Sequence, residues 1–324
     1  MRVKHAGPTR GAPVPQARRD SQMQYSRLLT GLTAATLGMV SAGVAIAQDL
    51  PLVGRPVDRG IGFQPAATEV ARDIQFLDFF ILVIITGIVV FVTLLMAWVA
   101  VRYNRRANPT PATFTHNSPI EIVWTVVPIL ILVGIGVVSL PILYKQQEIP
   151  VADVTIKATG FQWYWNYEYV DDGVSFDSHM IGAPATGGDN RLTPAVEAQL
   201  VEAGYSKAEF LLASDTAMVV PIGKIIVVQV TASDVIHSWK VPAFGVMQDA
   251  VPGRLQPLWF KAEREGVFFG QCSELCGQAH AYMPITVKVV PEDVYARWLD
   301  GAKAGNVLLS SAAFDAPVDV AASE

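Results

Sequence analysis

Two long apolar runs dominate the pattern of hydrophobic and polar positions along the chain. Phe79 to Val101 and Ile122 to Tyr144 are each 23 residues long and contain no charged side chain. A helix rises about 1.5 Å per residue, so about 20 residues cross the hydrocarbon layer of a bilayer. We therefore predict a two-helix transmembrane hairpin over residues 74–146. Two core helices of a soluble domain are the alternative, which this length and apolarity disfavour.

The segment before the first run predicts a secretory signal peptide over residues 1–47. A basic stretch ends at Arg27, an apolar run of small residues follows, and Ala45-Ile46-Ala47 precedes Gln48. This order is typical of a cleaved signal peptide. An uncleaved third membrane helix is the alternative. With the signal removed, residues 48–73 would form a periplasmic N-terminal segment.

The charges next to the apolar runs predict the topology. Arg102, Arg105 and Arg106 follow the first run. Basic loops remain in the cytoplasm, so both ends of the mature chain should lie on the other side. We expect a two-pass protein of the bacterial inner membrane with its main domain in the periplasm.

After Tyr144 the pattern changes to short segments bounded by Gly, Pro and Asp. The segments are rich in β-branched and aromatic residues and cover 151–158, 161–170, 217–221, 224–231, 258–260, 266–270 and 285–290. Such spacing is typical of a small antiparallel sandwich or barrel, so we predict an all-β domain over residues 147–295. Residues 183–212 interrupt it as an insertion with two short helical pieces. Residues 296–324 are expected to form a C-terminal helix and a flexible tail.

Composition supports a membrane protein and a basic partner. Charged residues make up only 16% of the chain, against about 25% in an average soluble domain. The formal net charge is -5. Residues 1–47 hold six basic side chains and one acidic side chain, so the rest of the chain has 18 basic and 28 acidic residues, a net charge of -10. This charge argues against nucleic acid and favours a basic protein as partner.

The strongest chemical signal is the segment that carries both cysteines of the chain. Cys276, His280 and Met283 have the compact spacing of a copper loop, and His237 supplies a second imidazole from farther upstream. One Cys, two His and a weak axial Met form an electron-transfer copper site. Cys272 adds a second thiolate, and two thiolates from one loop can each bridge two metal ions.

Two other interpretations of this segment remain open at this stage. The cysteines could form a disulfide in an oxidising compartment. A Cys2His2 zinc site is also possible, although the thioether of Met283 is a ligand for soft metals. The loop has no C-x-x-C-H sequence, so haem c is not expected here.

Several motifs together resemble subunit II of cytochrome c oxidase. They are the helical hairpin, Gly160-Phe161-Gln162-Trp163-Tyr164-Trp165, Ser175-Phe176-Asp177-Ser178, His237-Ser238-Trp239, Val251-Pro252-Gly253-Arg254 and the loop from Cys272 to Met283. The resemblance covers about residues 65–295 apart from the insertion. It implies a cupredoxin-like barrel on a membrane α-helical hairpin. It also implies a subunit that accepts electrons from cytochrome c and passes them to subunit I, where O2 is reduced to water with proton pumping.

The resemblance also implies particular site residues. A dinuclear copper centre of the CuA type would be held by His237, Cys272, Cys276, His280, Met283 and the backbone carbonyl of Glu274. The Glu274 side chain would reach a magnesium ion shared with subunit I. Electrons would enter at Trp163, and Glu121 would lie at the cytoplasmic mouth of a proton path into subunit I.

Three features of the surrounding sequence lead to further expectations. Ser118, Pro119 and Glu121 have the spacing of a capping box at the start of the second membrane helix. An aromatic run alternates along one predicted strand, so that its five members share one face: Phe161, Trp163, Trp165, Tyr167 and Tyr169. We expect most of these side chains to pack in the core. Cytochrome c would dock on acidic residues near this run and the His237 motif, namely Glu168, Asp171, Asp172, Asp177, Asp234 and Asp249.

Overall fold

The computed structural model of the protein describes residues 50–309. The predicted signal peptide therefore lies outside the described residues, as does the end of the predicted tail. Two long helices carry the apolar runs: α1 spans Glu69–Arg102 and α2 spans Ser118–Gln147. Both are long and apolar enough to cross a membrane, and none of the most apolar stretch of either helix is buried within the protein. Apolar side chains that face outward all round are typical of helices surrounded by lipid.

The start of α2 differs by one residue from the sequence prediction. Asn117 is the N-cap, and its side chain accepts a hydrogen bond from the amide of Ile120 at 3.3 Å. Ser118 is instead the first helical residue, so its prediction as the cap is wrong; Asn caps helices as well as Ser does and stands one position earlier. Glu121 Oε1 accepts a hydrogen bond from the Asn117 amide at 3.2 Å, so the glutamate folds back on the helix start.

The start of α1 is fixed to the domain outside the membrane. The Thr68 side chain accepts from the Ala71 amide at 3.0 Å, and its hydroxyl donates to the Phe244 carbonyl at 2.7 Å. Gly245 lies so close to α1 that a Cβ there would be 2.7 Å from the Cα of Ala71. These contacts attach the hairpin directly to the β-domain.

The domain outside the membrane is a β-sandwich of two sheets with an extra ribbon. Its strands are β1 (Leu52–Gly54), β2 (Val154–Phe161), β3 (Tyr164–Tyr169), β4 (Val174–Ser178), β5 (Met218–Pro221), β6 (Ile225–Ala232), β7 (His237–Val241), β8 (Val246–Ala250), β9 (Gln256–Lys261), β10 (Gly266–Gln271) and β11 (Pro284–Val290). One sheet has the order β1-β10-β11-β5, the other β4-β3-β2-β6-β9, and β7 pairs with β8. Buried residues of both sheets form one core. The arrangement is cupredoxin-like, with open sheets instead of a closed barrel.

The aromatic run occupies two strands instead of one. Phe161 ends β2 and Tyr164 begins β3, and the two residues pair across the turn. Only Trp165, Tyr167 and Tyr169 share the predicted face, and all three are fully buried. The prediction that Phe161 and Trp163 continue that face is wrong. The chain reverses direction at Gln162 and Trp163, so Phe161 lies on the preceding strand.

Two helical segments complete the described part of the domain. Between β4 and β5 the chain leaves the sheets in an excursion over residues 179–217, which includes the predicted insertion and helix α3 (Pro194–Glu202). After β11, helix α4 (Glu292–Lys303) covers the end of the core. Its Trp298 packs on Tyr169 with ring centroids 5.1 Å apart.

Candidate metal centre

The predicted ligands come from one strand start and one loop that the fold places side by side. His237 is the first residue of β7. Cys272 directly follows β10, and Met283 directly precedes β11; the loop between them carries Cys276 and, on a short 3-10 turn, His280. The Cys272 amide donates to the Met283 carbonyl at 3.1 Å. The two strands therefore close the loop at its base.

The two thiols form the centre of the site, with one imidazole beside each. Cys272 Sγ and Cys276 Sγ lie 3.8 Å apart. His237 Nδ1 is 3.9 Å from Cys272 Sγ, and His280 Nδ1 is 3.5 Å from Cys276 Sγ. Both cysteines are free thiols and both are buried. The disulfide interpretation therefore does not describe this structure.

Further donors surround the thiols. The ligand atoms of His237, Cys272 and Cys276 all lie within 4.8 Å of one another. The Glu274 carbonyl oxygen is 3.3 Å from Cys272 Sγ. Met283 is fully buried at the end of the loop. Imidazole nitrogen, thiol sulfur and a carbonyl oxygen thus lie within one small volume, and Met283 is buried in the same core as both cysteines.

Asp234 fixes the orientation of the His237 ring. Asp234 Oδ1 is 2.9 Å from His237 Nε2. A carboxylate at that distance accepts the proton of Nε2, which leaves the lone pair of Nδ1 directed to the thiols. The ring also needs Gly160, because a Cβ at that position would lie 2.8 Å from His237 Cδ2. The imidazole is therefore held by packing on one side and by a carboxylate on the other.

The thiols have opposite pKa shifts. Burial raises the pKa of both; for Cys272 the hydrogen bonds with His237 and with the Ser238 and Glu274 backbone outweigh it, and its pKa lies below the usual value. For Cys276, burial and the charge of neighbouring Cys272 raise the pKa. One thiolate therefore disfavours the other in the absence of a cation. Positive charge between the sulfurs would remove that conflict.

The chemistry of this donor set fits a pair of copper ions. Thiolate and thioether sulfur prefer soft metals, and imidazole accommodates both oxidation states of copper. Two thiols at 3.8 Å can bridge two ions. A single zinc ion needs only four ligands and would not use the buried Met283.

A second group of residues supports the loop from the surface side. Gln162 Nε2 and Trp163 Nε1 both donate to the Cys276 carbonyl, at 3.0 and 3.2 Å. The Gln162 amide donates to Asp234 Oδ2 at 2.7 Å. Asp234 and Gln162 therefore connect the His237 side of the site to the Cys276 side, and the half-buried Trp163 ring is one hydrogen bond away from a predicted ligand residue.

Sequence reasoning missed two of these supporting roles. Asp234 was expected only as a docking charge, and Gln162 was noted only as part of a motif. Asp234 stands three residues before His237, a spacing at which a carboxylate can reach the ring. For Gln162 no sequence signal exists, because its partner Cys276 is remote in the chain.

The six acidic residues expected to dock cytochrome c do not form one cluster. Asp177 pairs with Asn166 near the start of β3, and Asp249 pairs with Ser238 beside His237, so both lie with Asp234 at the thiol end of the domain. Asp171 and Asp172 follow the other end of β3, about 20 Å away by strand length. Two of the six are paired with lysine: Asp172 with Lys303 at 2.8 Å and Glu168 with Lys157 at 3.0 Å.

The last two predicted site residues, Glu274 and Glu121, lie far apart. The Glu274 side chain is exposed on the loop beside the thiols. Glu121 lies in the first turn of α2, about 40 Å along the helix from the end that joins the β-domain. It is therefore at the opposite side of the membrane region from the thiols.

The fold and site together define a membrane-anchored domain that presents a group of thiols and imidazoles able to hold a metal, outside the bilayer. Comparison with known proteins agrees. The family model for the periplasmic domain of cytochrome c oxidase subunit II matches residues 154–290, and the model for its transmembrane domain matches residues 56–142. Cytochrome c oxidase subunit 2 of Cereibacter sphaeroides is 63% identical over 291 residues, which are 89% of this chain and 96% of that protein.

Two further similar proteins have lower sequence identity to this chain. A probable cytochrome c oxidase subunit 2 of Rickettsia bellii is 41% identical over 79% of this chain and 89% of that protein. The solved periplasmic domain of subunit II of cytochrome oxidase from Bradyrhizobium japonicum is 46% identical and covers 49% of this chain and 99% of that chain, with a TM-score of 0.40. The chain belongs to the cytochrome c oxidase subunit II family. Members are the electron-accepting subunit of a haem–copper terminal oxidase, in which they assemble with subunit I.

Proposed function

We propose that this chain binds two copper ions between Cys272 and Cys276 and accepts electrons there from cytochrome c. The observation that carries the proposal is the pair of free thiols 3.8 Å apart, with one imidazole beside each. When bound, the copper pair would supply one-electron chemistry. The ligands are His237, Cys272, Cys276, His280, Met283 and the Glu274 carbonyl.

The protein's own groups prepare this site before any metal binds. Asp234 holds the proton of His237 on Nε2, so that Nδ1 is free to bind. Burial of Met283 and of both thiols excludes water from the ions. The exposed carboxylate of Glu274, next to the same loop, would contribute to a magnesium ion shared with subunit I.

Electrons enter at Trp163. Its indole N–H donates to the Cys276 carbonyl at 3.2 Å, which provides a short bonded path from the surface to a ligand residue. A basic cytochrome c would be attracted by Asp177, Asp234 and Asp249, the acidic residues at this end of the domain. Electrons would then pass to subunit I, where O2 would be reduced to water and protons would be pumped.

We infer that this chemistry lies on the periplasmic side of a bacterial inner membrane. The β-domain and the start of α1 lie on one side, and the arginine-containing loop lies on the other. Glu121, at the loop end of α2, would then face the cytoplasm. In that position it would serve as the entrance of a proton path into subunit I, in addition to its hydrogen bond at the helix start.

Copper content and spectroscopy of the purified oxidase test the proposal. We expect two coppers in this subunit and a mixed-valence signal in electron paramagnetic resonance. Cys272→Ser and Cys276→Ser should abolish that signal while the complex still assembles, and His237→Asn should weaken it. His116→Asn is the matched control, because His116 lies exposed near the start of α2. One zinc per chain, or wild-type copper in the double Cys→Ser variant, would refute the ligand assignment.

A further inference from the structure

The excursion over residues 179–217 covers the outer face of the two strands that carry the copper loop. Phe269 on β10 and Thr286 on β11 face each other across the strand pair. Closer to the loop, Gln271 pairs with Pro284, directly next to Cys272 and Met283 on their respective strands. Neighbouring residues of the same strands, such as Phe268 and Val287, belong to the main core. The strand pair is therefore packed on both faces, and the excursion supplies one of them.

Apolar contacts hold the excursion against this outer face. Ile181, Val196, Leu200, Tyr205 and Ala213 form a buried cluster with Val267 and Phe269 of β10. The Tyr205 ring packs edge-on against Phe269, with centroids 5.9 Å apart. On the neighbouring strand the Lys288 ammonium lies 5.9 Å from the centre of the same Tyr205 ring. Tyr205 therefore contacts both strands.

Thr286 adds a polar connection in the middle of the apolar contact. Its Oγ1 accepts a hydrogen bond from the Ser214 amide at 3.1 Å and donates to the Leu212 carbonyl at 3.4 Å. Thr286 is fully buried. Since buried backbone groups need partners, the hydroxyl fixes the position of the excursion on β11. Thr286 stands three residues after Met283 in the chain.

The N-terminal segment closes the assembly from the open edge. β1 pairs with β10 in parallel, with Leu52 opposite Val267. The next residues carry Arg55, whose guanidinium donates to Glu209 of the excursion at 2.8 Å. Glu209 is itself buried. The strand that leads to Cys272 is thus fixed on one edge by β1, and β1 is fixed by the excursion.

We propose that the excursion and β1 form a brace that positions the copper loop, with Thr286 as its main positioning residue. This rests on the proposed function only for the identity of the metal. The brace holds β10 and β11 in register, and the register sets where Cys272 and Met283 stand relative to His237. The excursion therefore acts on the metal site through β10 and β11, without contributing a ligand.

Hydrogen exchange and copper spectroscopy on the same variants test the brace. The full-length chain, stripped of metal with a chelator, is compared as wild type, Thr286→Val and Thr286→Ser. Thr286→Val keeps the shape but leaves the Ser214 amide unpaired, whereas Thr286→Ser keeps the hydroxyl. Thr155→Val on β2 is the matched control, because the Thr155 side chain has no hydrogen bond within the described residues.

In Thr286→Val we expect the amides of Cys272 and Ser273 to exchange about tenfold faster, the effect of losing one buried hydrogen bond on local opening. In the copper-loaded oxidase the same variant should keep its copper but shift the absorption bands and reduction potential. Thr286→Ser and Thr155→Val should match wild type in both measurements. Leu200→Ala, inside the excursion, should reproduce the exchange effect without touching β11.

Two results would separate the failure of the brace from the failure of the proposed function. Wild-type exchange and potential in both Thr286→Val and Leu200→Ala would refute the brace, whatever the metal is. Absence of copper from the wild-type oxidase subunit would refute the proposed function, while the exchange comparison in the metal-free chain would still decide the brace.

Discussion

Replacing Asp234 by Asn should weaken copper binding, although only one atom of the side chain changes. Asp234 Oδ1 accepts hydrogen bonds from His237 Nε2 at 2.9 Å and from the Val235 amide at 2.7 Å. Oδ2 accepts the Gln162 amide at 2.7 Å. All three partners are donors, and a carboxylate satisfies them because it only accepts.

An asparagine cannot satisfy all three donors in either orientation. If its oxygen faces His237, its NH2 group faces the Gln162 amide, and two donors oppose each other. If the amide is flipped, its NH2 group faces His237 Nε2. The ring would then have to move its proton to Nδ1, the atom that the metal needs. An unpaired buried donor costs about 1–3 kcal/mol; His237 is fully buried, whereas Gln162 is exposed and water can reach it.

The first orientation is the less unfavourable, so we expect the cost to appear mainly as a misplaced Gln162 and a less firmly held His237. At about 1.4 kcal/mol per factor of ten, copper affinity should fall about tenfold to a hundredfold, as is usual for a partner of a ligating histidine. Competition with a chelator of known copper affinity, on the full-length chain, measures it. Asp177→Asn is the control, because the Asp177 carboxylate is exposed and lies near the same end of the domain. Equal affinities of the two variants would refute the role of Asp234.

Three further predictions concern electron transfer, docking and folding. Trp163→Phe should slow reduction by cytochrome c in stopped-flow experiments while binding stays nearly intact; wild-type rates would remove the role of Trp163. Asp177→Asn should lower the association rate and flatten its salt dependence between 0.01 and 0.1 M, where the screening length falls from about 30 to about 10 Å. Asp172→Asn, at the far end of the sheet, should leave both unchanged, and equal effects of the two variants would contradict docking at the thiol end. Burial would raise the pKa of Glu209, but hydrogen bonds from Ser206 and Arg55 lower it below 4.5. Its contribution of about 1–3 kcal/mol to the free energy of unfolding should be present above pH 4.5 and lost as the pH falls through the lowered pKa. The loss of stability in Glu209→Gln should therefore be largest at pH 7 and shrink steadily as the pH falls below 4.5; a loss that does not change with pH would contradict the ion pair.

Glu121 requires its own comparison, since one role is visible and the other is proposed. Its side chain accepts a hydrogen bond from the Asn117 amide, a contact that Gln can also make. Glu121→Gln should therefore leave assembly and copper content unchanged. If the carboxylate also admits protons to subunit I, turnover of the oxidase should fall in that variant. Wild-type turnover would leave only the role at the helix start.

The parts of the structure that sequence predicted are those whose signals are local. The membrane helices come from uninterrupted apolar runs, and most ligands come from one short segment, Cys272 to Met283. Four of the described strands were not predicted, namely β1, β4, β7 and β8. Two of them have weak local patterns: β7 contains the polar residues His237, Ser238 and Lys240, and β8 contains Gln248 and Asp249. Their positions are set by pairing with each other and by packing against the two sheets.

Register and turns explain the other differences. A single aromatic strand was expected from alternation, but the tight turn at Gln162 and Trp163 divides it, and alternation alone does not show where a chain reverses. The acidic residues around β3 looked close in sequence, yet strand geometry places Asp172 and Asp177 at opposite ends of a hairpin. The function of residues 179–217 could not be predicted, because their contacts with Thr286 depend on the folded sheet.

Replacing every acidic residue near Trp163 would not distinguish an effect on cytochrome c docking from an effect on metal binding. Asp234 is partly exposed and negatively charged, as a docking residue should be, but its two oxygens also hold His237 and Gln162. Gln162 in turn shares the Cys276 carbonyl with Trp163. Neutralising Asp234 would therefore alter the predicted ligand His237, the proposed point of electron entry and the surface charge together. A slower reaction in that variant would not identify which step had changed. Asp177 contributes charge at the same end of the domain without a hydrogen bond to any predicted ligand, so electrostatic attraction of cytochrome c should be measured there.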